Sequence, residues 1–164
     1  ETLDGGVEPL GLFDVARDEY DVLIVDMPPS WVDWWEAVIE TTDCMVMVTQ
    51  MTIAALRRTR DMIDALKGIG YGGLPLHIVC NRFEKKLFTK GLHLKDAERA
   101  LGRKVNSWIP ADFMLVSAAE NEGIPIARYK NGSKVEKAIA RISAEALAQI
   151  EKDRAETAAR LGAG

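Results

Sequence analysis

The chain has 164 residues, of which 48% are hydrophobic and 28% are charged, and its net charge at pH 7 is -4. These values fit a soluble globular protein that is long enough to bury a core. The acidic balance gives no electrostatic reason to expect a sequence-specific nucleic-acid partner. No apolar run approaches the roughly 20 residues that an integral membrane segment needs.

Four short apolar runs predict β-strands. Their continuous apolar and β-branched character is typical of strands that are covered on both faces, as in a parallel sheet. The predicted strands are Val22–Val25, Met45–Val48, Leu76–Cys80 and Val105–Ile109.

Segments with helical periodicity separate these strands. One helix begins near Ile53 and is ended by Gly68, a shorter one spans His93–Leu101, and a long one runs from about Lys134 to Ala159. Residues 151–164 contain few large apolar side chains and are expected to fray. The alternation of strands and helices predicts an α/β fold, with a mostly parallel sheet flanked by helices and all 164 residues in one domain.

Polar residues follow each predicted strand. The carboxyl ends of parallel strands share one edge of an open α/β sheet, and ligands bind along that edge. We therefore take these strand exits as the candidate binding residues. They are Asp26-Met27-Pro28-Pro29, Thr49-Gln50-Met51-Thr52, Asn81-Arg82 and Pro110-Ala111-Asp112.

Asp26 has two interpretations. A carboxylate that ends an apolar strand is the Walker B arrangement, which holds the water shell of a phosphate-bound Mg²⁺. Pro28 suits the exit of the chain, because proline donates no hydrogen bond to a strand ladder. Alternatively, Asp26 caps a helix that begins near Ser30.

The other strand exits also keep two interpretations. The amide of Asn81 carries both a donor and an acceptor for recognising a nucleotide base, but an asparagine also serves as a turn residue. Arg82 and Asp112 have the same ambiguity. Thr49 is interpreted as a strand-end residue rather than a ligand.

Other features of the sequence are less specific. Trp31, Trp34 and Trp35 are expected to pack in the core, with any exposed ring available as an anchor for a partner. The segment from Phe83 to Leu92 contains Lys85, Lys86 and Lys90 and predicts an exposed loop or lid. Cys44 and Cys80 lie in apolar runs, which is typical of buried thiols in a reducing cytoplasm. No Cys/His cluster suggests a site for a soft metal.

Five segments together carry a resemblance to a known family. They are YDVLIVDMPPSW at Tyr20, VMVTQMTIAALRRTRDMIDAL at Val46, VCNRFEKKLFTKGLHLKDAERALG at Val79, IPADFMLVSAAENEGIPI at Ile109 and NGSK at Asn131. Through these segments the chain, from about Phe13 to Leu147, resembles the C-terminal part of a ParA/MinD-type ATPase domain. The resemblance is strongest to the CpaE/TadZ group of pilus-assembly proteins.

The resemblance implies a SIMIBI-type P-loop NTPase fold that is incomplete at its N-terminal side. The intact protein is expected to bind ATP and Mg²⁺, and neither is expected to bind tightly to this chain alone. It makes Asp26 the catalytic Walker B aspartate and the Mg²⁺ ligand through water. It makes Asn81 the adenine contact, with Arg82 beside it, and Pro110 to Asp112 the lining of the adenine pocket. No GxxxxGK[ST] pattern occurs in the sequence, so the strand and loop that hold the phosphates are expected upstream of Glu1. The alternative is that the protein has lost this loop.

The resemblance also implies a biological role. It suggests a homodimer in the bacterial cytoplasm, held at the inner face of the cell membrane through partners, that localises or regulates a pilus or secretion machine. The implied activity is at most weak ATP hydrolysis. A scaffold of the same machinery that does not use nucleotide, and a ParA-like partitioning ATPase, remain as alternatives.

Overall fold

The computed structural model of the protein describes residues 9–28, 34–84 and 93–161. The chain divides into two units, Glu1–Thr42 and Asp43–Gly164. Each unit has its own set of elements.

The described residues of the first unit, 9–28 and 34–42, contain two helices, α1 over Pro9–Glu19 and α2 over Trp35–Glu40. The last carbonyl groups of a helix lack partners within the helix and need other donors. At the end of α2, the hydroxyl groups of Thr41 and Thr42 donate hydrogen bonds to the carbonyl oxygen of Val38, at 3.1 and 2.7 Å. These two side chains therefore terminate α2.

The strand predicted at Val22–Val25 does not form, and that prediction is wrong. Residues 22–28 have neither helix nor strand structure, and Ile24 is 88% exposed. A strand exists only through hydrogen bonds to a neighbouring strand, and no described residue pairs with this segment. Its apolar, β-branched composition favours a strand, but the pairing is missing.

The second unit contains a three-stranded sheet with the order β1-β2-β3 and parallel pairing throughout. The strands are β1 over Met45–Thr49, β2 over Leu76–Phe83 and β3 over Ser107–Pro110. The three remaining strand predictions are therefore confirmed, although β2 continues past its predicted end at Cys80.

Strand β3 begins at Ser107 rather than at Val105 as predicted, and the hydrogen bonds of Asn106 are the local cause. Its backbone N–H donates to the carbonyl oxygen of Ile78 at 2.9 Å, and its side-chain Oδ1 accepts from the backbone N–H of Ile78 at 2.8 Å. The side chain thus replaces a main-chain carbonyl at the point where the ladder begins.

Helices pack on both faces of the sheet. Alternate residues of β2 point to opposite faces. Ile78 and Cys80 join a buried apolar cluster with α3, over Ile53–Gly68, and α4, over Leu94–Leu101. His77 instead contacts Glu145 on the opposite side.

Glu145 belongs to α7, the long helix over Lys134–Leu161. The buried side chains Val135, Ala138 and Ile142 lie near its start. This helix confirms the predicted C-terminal helix and runs through residues 151–161.

Two further helices follow the sheet and were not predicted. They are α5 over Phe113–Glu122 and α6 over Ile126–Tyr129. Gly123 ends α5 in the left-handed conformation, with φ of 65°. A capping aspartate before α5 and a glycine after it are the sequence signals that mark this helix.

Candidate functional site

Three of the four predicted strand exits lie along one edge of the sheet. In the parallel register Thr49 pairs with Cys80, and Phe83 pairs with Pro110. Thr49, Asn81 and Pro110 therefore all stand at the carboxyl edge, where an open α/β sheet binds ligands.

Thr49 has a structural role at this edge. It is 4% exposed, and its hydroxyl oxygen lies 2.9 Å from that of Thr59 on α3. Hydroxyl groups that are removed from water need such partners. The contact ties the end of β1 to α3.

The backbone of β2 is irregular at Asn81 and Arg82. The register with β3 shifts between Cys80 and Phe83, and Arg82 has a positive φ of 53°. The side-chain Oδ1 of Asn81 accepts a hydrogen bond from the backbone N–H of Arg82 at 2.8 Å. Asn81 is therefore a residue of an irregular strand rather than of a turn, and its ligand role remains a prediction.

Arg82 contacts an aromatic side chain that we did not select from the sequence. Its guanidinium carbon lies 5.4 Å from the centre of the Phe113 ring, within the range of a cation–π interaction. Phe113 is the first residue of α5 and is 57% exposed. An aromatic residue directly after the strand-exit aspartate was the signal that could have identified it.

Pro110 and Asp112 connect β3 to α5. Pro110 is the last residue of β3, and Oδ1 of Asp112 accepts from the backbone N–H of Leu115 at 3.1 Å. Asp112 is therefore the N-cap of α5. A ligand role for Asp112 remains a prediction, since a carboxylate accepts several hydrogen bonds.

Asp26 lies in the first unit, exposed and outside any helix or strand. Its role as a Mg²⁺ ligand and catalytic residue remains a prediction. The alternative helix start near Ser30 falls outside the residues that the structure describes, as do Trp31 and the lysines of the predicted loop. Of the other tryptophans, Trp35 is 5% exposed and Trp34 is 37% exposed.

An open cavity of about 1200 Å³ lies at the opposite, amino edge of the sheet. Its lining includes Asp43, Cys44 and Arg154, and the side chains of Arg154 and Asp43 form an ion pair at 3.0 Å. Burial, followed by the charges of Asp153 and Asp43, raises the pKa of the Cys44 thiol. The lining of this cavity carries charges of both signs, and Asp43 and Arg154 are already paired with each other. We therefore place the candidate ligand site at the carboxyl edge instead.

Within residues 9–28, 34–84 and 93–161, no group of three or more His, Cys, Asp or Glu side chains is arranged to hold a metal ion. None of the helices in these ranges is long and apolar enough to cross a bilayer.

Sequence comparison identifies two similar curated proteins. No family model matches the chain. The septum site-determining protein MinD of Helicobacter pylori is 25% identical over 124 residues, which cover 71% of this chain and 46% of that protein. MinD of Thermotoga maritima is 24% identical over 114 residues, which cover 68% of this chain and 42% of that protein. The chain therefore spans less than half the length of these relatives.

Solved structures with the same fold include a ParA family ATPase from Chlorobium tepidum, with a TM-score of 0.72, 24% identity, and coverage of 79% of this chain and 52% of that one. MinD of Pyrococcus horikoshii, complexed with Mg-ADP, has a TM-score of 0.66 and 21% identity. The match covers 83% of this chain and 54% of that one. MinD in a MinC:MinD complex from Aquifex aeolicus has a TM-score of 0.70 and 18% identity, covering 84% and 56%. The chain thus has the α/β fold of ParA and MinD proteins over about half of their length.

Proposed function

We propose that this chain is the C-terminal part of an ATP-binding, dimer-forming ATPase of the ParA/MinD type. The main support is the carboxyl edge of the sheet, where Asn81, Arg82 and Pro110 stand together in a fold shared with a MinD protein complexed with Mg-ADP. Nucleotide binding at this edge follows from the general placement of ligands in open α/β sheets.

In this proposal the base of the nucleotide lies against Asn81, Arg82 and the Pro110–Asp112 loop. Asp26 holds water in the shell of Mg²⁺, and the ion neutralises charge on the phosphates when it is bound. The chemistry of these side chains fits the two groups, since an amide and an arginine suit a base and a carboxylate suits hydrated Mg²⁺.

The phosphate-binding loop is proposed to come from a segment upstream of Glu1. Two observations on β1 support this part of the proposal: among the described residues it pairs with β2 alone, and one of its faces is exposed. Val46 and Val48 of β1 are 42% and 58% exposed, whereas the strands of parallel sheets are normally covered on both faces. An additional strand beside β1, with its own helix, covers these side chains.

The proposed biological role is a nucleotide-dependent switch that places or regulates a pilus or secretion machine in the bacterial cytoplasm. ATP bridges two subunits, and the dimer presents a new surface to its partners. The support for the pilus assignment is the sequence resemblance to the CpaE/TadZ group. Trp34, with its partly exposed ring, is a candidate partner contact.

The test is a thermal-stability titration of the full-length natural protein with ATP, with and without Mg²⁺. ATP at about 100 times its Kd is expected to stabilise the protein by about 2.7 kcal/mol. Asp26→Ala is expected to abolish the Mg²⁺-dependent part of this gain. The matched control is Asp61→Ala, which removes an exposed carboxylate from α3.

Absence of any ATP-dependent stabilisation in the wild-type protein contradicts the proposal. The scaffold alternative makes a different prediction, namely that Asp26→Ala combined with Asn81→Ala leaves pilus assembly intact. Nonspecific DNA binding at physiological salt would instead favour the partitioning alternative.

A further inference from the structure

The chain as a whole is acidic, but residues 128–141 are basic. This segment contains five Lys and Arg side chains and a single acidic one, Glu136, whereas the whole chain has 21 basic and 25 acidic residues. The carboxylate of Glu136 is engaged locally, because its Oε2 accepts a hydrogen bond from the backbone N–H of Gly132 at 3.2 Å. Most of the positive charge of the segment is therefore uncompensated within it.

Three of these basic side chains share one face of α7. Lys134, Lys137 and Arg141 fall within an arc of about 60° on a helix with 3.6 residues per turn. They are all exposed, while the buried side chains Val135 and Ile142 point to a different side of the helix. At a rise of about 1.5 Å per residue, the three positions extend over about 10 Å. We call these three side chains the basic face of α7.

The charges on this face have little compensation from carboxylates. Within residues 9–28, 34–84 and 93–161, Lys134 and Lys137 form no ion pair. Arg141 has a single long contact, at 3.8 Å, with Glu145. By contrast Lys152, near the other end of the same helix, has its own carboxylate partner four residues later. The basic face is thus available to carboxylates of another molecule.

An exposed tryptophan lies beside the basic face. The hydroxyl of Ser107 meets Glu145 of α7, so the next side chain of β3, Trp108, points to the opposite face of the sheet, where its ring lies 5.9 Å from that of Phe83. The guanidinium carbon of Arg141 is nevertheless 5.6 Å from the centre of the Trp108 ring. Since β2 occupies one edge of β3, Arg141 and Trp108 meet at the outer edge.

We propose that the basic face of α7 and the Trp108 ring together bind an acidic segment of a partner protein. Carboxylates of the segment pair with Lys134 and Lys137, and an apolar side chain packs on the Trp108 ring, which is 40% exposed. A partly exposed tryptophan is a typical anchor in protein interfaces, and complementary charge around it selects the partner. This binding is additional to nucleotide binding and does not depend on it.

The size and charge of the surface favour a short acidic protein segment over a nucleic acid. Affinity for nucleic acid rises with the number of phosphates that are neutralised, and three cations neutralise about three phosphates at most. The net charge of -4 also repels a polyanion at long range. An extended peptide rises about 3.3 Å per residue, so about three of its residues match the basic face.

The experiment measures fluorescence anisotropy of a labelled peptide with the full-length natural protein, without nucleotide and at low ionic strength. The probe is a peptide of about nine residues, all Glu or Asp except for a central leucine, and the comparison peptide carries Gln and Asn instead. Lys134→Gln combined with Lys137→Gln is expected to weaken binding of the acidic peptide about tenfold. The matched control is Lys95→Gln combined with Lys152→Gln, which removes the same charge from other exposed positions.

Two further variants test the anchor. Trp108→Leu keeps apolar bulk against Phe83 but removes the ring, and it is expected to weaken binding about fivefold. Arg141→Gln removes the charge beside the ring without changing the packing of the sheet, and it is expected to weaken binding about threefold. Circular dichroism and the melting temperature show whether each variant is folded. If Trp108→Leu does not fold, Arg141→Gln still tests the surface.

Each remaining outcome overturns a defined part of the proposal. Equal affinity for the two peptides, or equal weakening in the control pair, overturns the basic face as a docking surface. Unchanged affinity in folded Trp108→Leu and Arg141→Gln overturns the anchor. Tighter binding of duplex DNA or anionic lipid vesicles than of the acidic peptide, lost in the Lys134 and Lys137 double variant, overturns the class of partner. The ATP titration described above is independent of all these results.

Discussion

At the scale of single residues, the two cysteines differ in their distance from water. Cys80 is fully buried in the cluster between β2 and the helices, as predicted, whereas Cys44 is only half-buried. Burial raises the pKa of both thiols, and nearby carboxylates raise that of Cys44 further. A raised pKa lowers the thiolate fraction at a given pH, and only the thiolate reacts with alkylating reagents.

We therefore expect Cys44 to react with iodoacetamide at pH 8 more slowly than a thiol in the unfolded chain. Asp153→Asn removes one of the charges that raise its pKa and should accelerate the reaction about two- to threefold. The rate is measured by mass spectrometry of the folded protein. Glu151→Gln on the same helix is the control, and an equal acceleration in both variants contradicts the prediction.

Single residues also show where sequence reasoning stops. The sequence leaves two interpretations of Asn81, as a base contact and as a turn residue, and the structure instead places Asn81 in an irregular part of β2, where its Oδ1 accepts from the backbone N–H of Arg82. The sequence of β2 could not reveal this, because a register shift depends on the neighbouring strand rather than on the pattern LHIVCNRF itself.

At the scale of elements, a polar contact attaches α7 to the sheet. The hydroxyl of Ser107 on β3, which is fully buried, donates to Oε2 of Glu145 at 2.8 Å. The Nε2 of His77 on β2 lies 3.3 Å from the same oxygen. One carboxylate therefore joins α7 to two strands.

Glu145→Ala removes the 2.8 Å acceptor of the buried Ser107 hydroxyl, which keeps only the longer 3.4 Å contact with Nε2 of His77. We therefore expect a decrease in the free energy of unfolding of about 1–2 kcal/mol. Urea denaturation followed by circular dichroism measures this change. Glu151→Ala, an exposed change on the same helix, should stay within about 0.5 kcal/mol of the wild type. Equal unfolding midpoints for the two variants would rule out the attachment role of Glu145.

The elements were predictable where periodicity was strong. Helices α3 and α7 could be predicted from the helical repeat of the first and the composition of the second, because their apolar positions alone determine the buried face. The strand prediction for Val22–Val25 is wrong because composition indicates a preference for strand structure but not the presence of a neighbouring strand to pair with.

At the scale of the whole molecule, the sheet leaves part of one face uncovered. In the register of β1 with β2, Val46 pairs with His77 and Val48 with Val79, so both valines point to the side on which His77 meets α7. They are nevertheless substantially exposed. Exposed apolar side chains on the outer strand of the described sheet favour association with other apolar surfaces.

We expect the 164-residue chain to bind a hydrophobic dye and to self-associate through this face. The double variant Val46→Thr with Val48→Thr should reduce dye fluorescence and the apparent mass in analytical ultracentrifugation, with little change in stability. Val79→Thr is the contrasting variant, since Val79 is 1% exposed and a buried hydroxyl costs about 1–3 kcal/mol. Undiminished dye binding in the double variant would exclude this face as the source.

The candidate site is predictable in outline at this scale. The rule that parallel strands share a carboxyl edge predicts that Thr49, Asn81 and Pro110 lie along one edge, and the strand register shows them there. Phe113 was not selected, because its exposure depends on how α5 leaves the sheet.

The side chain of Asn106 has a consequence for how β3 is aligned during folding. Moving β3 by two residues along β2 would keep every side chain on its original face, so burial alone opposes such a slip weakly. The paired bonds between Asn106 and Ile78 exist in only one alignment. The side-chain amide of Asn106 therefore specifies the register of a strand that is only four residues long.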